Sequence, residues 1–129
     1  IYRFKISRVW RGYGKVIFLE FGALTGDKGE YTLWVDVSNW KLIVGEDIFD
    51  ATNEEYESID KHIAQLSGQK ITKIIFDENT KIFEAWFSGN TKLVCTPEVG
   101  HAIDIIKNDE KLYLTFEADG SVKTNNIVQ

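Results

Sequence analysis

Along most of the chain apolar and polar side chains alternate with a period of two, the pattern of antiparallel strands that turn one face to a core and the other to water. Tyr2, Phe4 and Ile6 alternate with Arg3, Lys5 and Ser7, and Leu33, Val35 and Val37 with Thr32, Trp34 and Asp36. Phe83, Ala85 and Phe87 alternate with Ile82, Glu84 and Trp86, and Leu112, Leu114 and Phe116 with Lys111, Tyr113 and Thr115. Lys15 to Phe21 is almost entirely apolar, as a central strand covered on both faces would be. Turn-forming residues separate these runs: Gly12-Tyr13-Gly14, Thr25 to Gly29, Asp77-Glu78-Asn79, Ser88-Gly89-Asn90, Lys107-Asn108-Asp109 and Asp119-Gly120. The pattern predicts about eight strands.

One segment has a helical period instead. Tyr56, Ile59, Ile63 and Leu66 form a single stripe, with Glu54, Glu55, Glu57, Asp60 and Lys61 on the other faces. Thr52 with Glu55 three residues on reads as a capping box, and Gly68 is placed to end the helix, so a helix is expected over 53–67. The stretches on either side of it resemble each other. Ile6-Ser7-Arg8-Val9 returns as Ile71-Thr72-Lys73-Ile74, and Lys15-Val16-Ile17 as Lys81-Ile82-Phe83. Such spacing suits a duplicated strand meander with the helix as connector, although alternating strands also share composition by chance. The expected fold is α+β: mostly antiparallel strands in a twisted sheet or open barrel, one amphipathic helix against it, and a single domain over 1–129.

Composition fits that picture. The 129 residues are 43% hydrophobic and 27% charged, values of an ordinary globular chain rather than a disordered or membrane-embedded one. The net charge of −5 is unevenly spread, with +4 over residues 1–28 and −8 over 30–60. That balance opposes broad phosphate-backbone contact, so no nucleic-acid partner is expected. One cysteine, Cys95, leaves no internal disulfide and suits a reducing compartment, the cytoplasm. No signal-like or membrane-spanning apolar run is present in the sequence.

Few residues carry candidate chemistry. Arg11 to Phe18 matches the RNP1 pattern of RNA-recognition domains except at its fifth position, where Lys15 replaces a base-stacking aromatic. RNP1 lies on a third strand, whereas ten residues precede this match, so it reads as a glycine turn feeding a central strand. Cys95 and His101 lack a glycine elbow, an oxyanion feature and an orienting partner, and His62 reads as a solvated helix residue. One cysteine and two histidines give no zinc-like spacing, so no metal, no cofactor and no catalytic residue is assigned.

The acidic run is more informative. Glu46, Asp47, Asp50, Glu54, Glu55, Glu57 and Asp60 fall within fifteen residues that contain no base. A solvated helix face accounts for Glu54, Glu55 and Glu57, but not for Glu46, Asp47 and Asp50, which the sequence places in an approach loop with Ile48 and Phe49 exposed between them. Acids interleaved with apolar residues suit a basic protein partner, where charge steers the encounter and an aromatic such as Phe49 anchors it. Trp10, Arg11 and Trp34 form a second candidate interface.

The order of elements resembles a loosely defined set of small bacterial proteins of unknown function, several of them immunity proteins of contact-dependent or polymorphic toxin systems. The resemblance rests on Val9-Trp10-Arg11-Gly12, Phe21-Gly22 with Gly29-Glu30, Asn39-Trp40-Lys41-Leu42, Leu66 to Ile71, and Phe87-Ser88-Gly89-Asn90 before Leu93. It implies a non-enzymatic inhibitor that occludes a cognate toxin domain, frequently a basic nuclease. The alternative expectation is a ligand-binding or enzymatic barrel whose apolar cavity holds a small molecule, walled by Trp34, Trp86 and Tyr113.

Overall fold

The computed structural model describes residues 1–126. Among these described residues eleven strands fall in two antiparallel sheets. The first joins β1 (Ile6–Arg11), β2 (Ile17–Phe21), β3 (Tyr31–Val35), β9 (Ile103–Lys107), β10 (Leu112–Phe116) and β11 (Val122–Asn126), in that order. The second runs β5 (Asp47–Asp50), β4 (Lys41–Val44), β8 (Thr91–Cys95), β7 (Phe83–Phe87) and β6 (Ile71–Phe76). The inner faces share one core, in which Ile17, Leu19, Leu33 and Ile103 of one sheet and Leu42, Phe83, Ala85 and Leu93 of the other are fully buried. Phe116 of the first sheet meets Phe83 of the second edge-on at 5.0 Å. The fold is therefore mostly β, with more strands than the eight expected, and neither sheet closes into a barrel.

The strands missed are short or interrupted by charge. Asp47–Asp50 has the sequence Asp-Ile-Phe-Asp, yet it pairs with Lys41–Val44 across a two-residue turn. Gly45 there has φ +60° while Glu46 does not, as a type II′ hairpin requires. Residues 2–4, by contrast, alternate in polarity without being part of a strand, and Tyr2 is exposed.

The helix is also shorter than expected. Regular α-helix α1 covers Tyr56–Ile63, between 3-10 turns at Ala51–Asn53 and Ala64–Leu66. Thr52 does not cap it: Glu55 holds the N-cap position without a side-chain bond, while Asp50 caps the preceding 3-10 turn through the Thr52 amide. Ile59, Ile63 and Leu66 are buried as the stripe predicts, but Tyr56 is 52% exposed because it sits at the rim, under the Arg11 guanidinium. Gly68, at φ +85°, ends the segment in the left-handed conformation that glycine adopts without strain.

The similarity of the two flanks extends to strand pairing. Each half is a three-stranded meander in one sheet followed by a hairpin in the other: β1–β2–β3 then β4–β5, and β6–β7–β8 then β9–β10. The halves clasp reciprocally, because β3 pairs with β9 and β8 pairs with β4. Leu33 faces Ile105 as Leu93 faces Leu42, and a register shift between Ile6 and Arg8 returns between Ile71 and Lys73. Lys5 and Lys70, equivalent positions in the two halves, face each other in an isolated antiparallel bridge. The symmetry ends after the hairpins, where β10 receives β11 as its neighbour while the chain leaving β5 turns into α1.

Candidate functional site

The acidic run folds into the β4–β5 hairpin and the start of α1, not into a loop. Glu46 occupies the hairpin turn, Asp47 and Asp50 the two ends of β5, and Glu54, Glu55 and Glu57 the entry to the helix. Strand alternation then decides which residues meet solvent. Leu42 and Phe49 are partners on the inner face, Ile43 and Ile48 on the outer one. Ile48 is accordingly 66% exposed, whereas Phe49 is only 9% exposed and packs on Trp40 and on the His62 ring. The expected exposed aromatic anchor is thus a core residue, and Ile48, on the outer face, is the exposed apolar one. His62 is no solvated helix residue either, since its Nδ1 lies 2.8 Å from the Ser58 carbonyl and its ring stacks on Phe49.

Folding brings bases to part of the acidic run. Arg11 donates to Asp60 at 2.8 Å, which ties β1 to α1. Lys41 lies 4.0 Å from Asp50, its cross-strand partner, and Lys15 donates to the Thr52 carbonyl. Asp50 also accepts from the Thr52 hydroxyl and amide, and those two hydrogen bonds hold its carboxyl below the ordinary range. Among the described residues Glu46, Asp47, Glu54, Glu55 and Glu57 make no ion pair, and Asp47 and Glu54 border one open cleft of about 370 Å³ between the hairpin and the helix. Phe49 and His62 line it as well, with Ile48 at its rim. Unpaired carboxylates beside apolar surface suit a cation-bearing, partly apolar ligand.

Trp10 and Trp34 share the outer face of the six-stranded sheet, stacked on either side of Phe18 at 4.0 and 5.5 Å. Arg8 covers the far side of Trp10, and the Trp10 indole donates to the buried Glu20 carboxylate. Glu20 also accepts from the Gly29 amide and the Thr32 hydroxyl, so it ties the 22–30 loop to the sheet. The Trp34 indole N–H is buried without a partner among the described residues. Tyr113 lies on this same outer face, whereas Trp86 lies on the outer face of the other sheet, so the three aromatics assigned to a cavity wall line no common space.

Cys95 faces the core and burial pushes its thiol up, while His101 is exposed and lies 3.5 Å from Asp36. Among the described residues no cluster of three His, Cys, Asp or Glu is set to hold a metal ion, and no helix is long and apolar enough to cross a membrane. No family model, curated protein or solved structure matches the chain.

Proposed function

We propose that the protein is a non-enzymatic inhibitor that binds a basic protein partner in the cytoplasm, an immunity protein that occludes a cognate bacterial toxin, for instance a nuclease domain. The observation that carries this reading is the set of five carboxylates without ion pairs among the described residues, Glu46, Asp47, Glu54, Glu55 and Glu57, gathered on one hairpin and one helix start beside exposed Ile48. Mutual repulsion makes such a patch costly in the free protein, and a cationic partner relieves it. Occlusion requires no catalytic group of this chain.

Association kinetics with the product of the adjacent gene test the reading. Replacing Asp47 and Glu54 together by Asn and Gln should lower the association rate several-fold and flatten its dependence on salt, leaving the fold intact. Rates that are unchanged at both low and high salt would move the interface off the acidic patch, and absence of any binding would remove the proposed partner.

A further inference from the structure

We infer that the partner docks by adding a basic extended strand to the free edge of β5, a proposal that rests on the protein-binding reading above and specifies how it is achieved. The internal repeat carries the inference. β5 and β10 are equivalent, Ile48 corresponding to Tyr113 and Asp50 to Thr115 through their pairing with β4 and β9. β10 has a second neighbour, β11, in which Asn125 faces Tyr113 and Lys123 faces Thr115. Among the described residues β5 has none, and it ends the five-stranded sheet.

Hydrogen-bond parity shows which groups wait at that edge. Ala51 donates its amide to the Trp40 carbonyl at 3.1 Å, so the bonded pairs with β4 alternate back through Phe49 and Asp47. The amides and carbonyls of Ile48 and Asp50 therefore point away from β4, and among the described residues no protein group bonds them. The space alongside is open: the cleft between hairpin and helix runs beside β5, and Ile48 borders both this cleft and the uncovered outer face. An unpaired edge is a template for another strand.

The side chains specify the occupant. In an antiparallel strand placed as β11 is on β10, one residue faces Asp50, the next Phe49, the next Ile48, and then Asp47 and Glu46. Opposite charges and apolar pairs are the favourable cross-strand partners, so the pattern read from the partner's N-terminus is basic, small, apolar, basic, basic. A second copy of this chain fits poorly, because the register that pairs Ile48 with its own counterpart would set Asp50 against Glu46 at both ends.

The probe is a fluorescein-labelled peptide containing Lys-Thr-Ile-Lys-Lys, followed by anisotropy and by amide exchange of the peptide-bound and free protein. Binding should slow exchange at Ile48 and Asp50. Methylating the peptide nitrogen that faces Ile48 should weaken binding tenfold or more, while methylating the one that faces Phe49, which points away from β5, should change it less than twofold. Ile48→Pro removes one edge donor at a position where an edge strand tolerates proline, and it should abolish peptide binding. Failure of the peptide to bind, or equal effects of the two methylations, would overturn strand addition and leave Asp47 and Asp50 as guards of the edge. If Ile48→Pro, folded by circular dichroism, binds the adjacent gene's product as the parent does while the Asp47/Glu54 variant does not, strand addition fails and the acidic-patch reading stands.

Discussion

The rings of Phe49 and His62 lie face to face, 3.8 Å between centroids and 19° from parallel, and through this contact α1 is held on the β4–β5 hairpin. Phe49 is therefore a packing residue although its neighbours Ile48 and Asp47 are exposed. Phe49→Ala should destabilise by about 3–5 kcal/mol, as truncation of a buried aromatic does. Urea denaturation measures this, and a change below about 1 kcal/mol would show that the hairpin does not depend on the stack.

Ile63, 2% exposed on the inner side of α1, gives a companion test. Ile63→Asp removes a buried aliphatic and buries a carboxylate, and should cost about 3 kcal/mol or more. A near-neutral change in urea midpoint would mean that this face is not core.

Much of this arrangement was legible in the sequence, and the omissions have physical causes. Thr32 to Val35 and Phe83 to Phe87 announce themselves by alternation because each has one face in the core. Asp47–Asp50 does not, since two of its four residues are acids and its register comes from the glycine turn at Gly45 and from pairing with β4. The acids were visible as a run, but the partner of Asp60 was not, since Arg11 lies 49 residues away from it in the chain. The misplacement of Phe49 as exposed follows from the same cause, because a loop assignment has no inner and outer face.

Acid titration should separate two carboxylates by sign. Hydrogen bonds from Thr52 hold Asp50 below its ordinary value, so its contribution is present above the unfolded carboxylate pKa and is lost as pH falls through the folded one. The deficit of Asp50→Ala against the parent, measured by denaturant midpoint, should be full near about pH 6 and shrink below about pH 4. Burial raises Asp104, the opposite case, so the stability it confers is present at low pH and lost as pH rises through its folded pKa. Asp104→Asn should therefore gain on the parent as pH rises from about 3 to about 7, and a gap independent of pH would contradict the assignment.

Cys95, 3% exposed and with its thiol pushed up by burial, should react with a neutral thiol reagent only as fast as the protein opens. Addition of denaturant past the unfolding midpoint should make labelling immediate. Rapid labelling of the native protein at neutral pH would show an accessible thiolate and reopen a catalytic role for it.

The claim that a protein partner covers the β4–β5 hairpin and the start of α1 is tested most directly by amide hydrogen exchange of the chain free and saturated with the product of the adjacent gene. The account predicts slowed exchange confined to the segments from Val44 to Asp50 and from Glu54 to Gln65, with the outer face of the six-stranded sheet unaffected. Protection centred instead on β1 to β3, around Trp10, Phe18 and Trp34, with unchanged exchange in the hairpin, would contradict it.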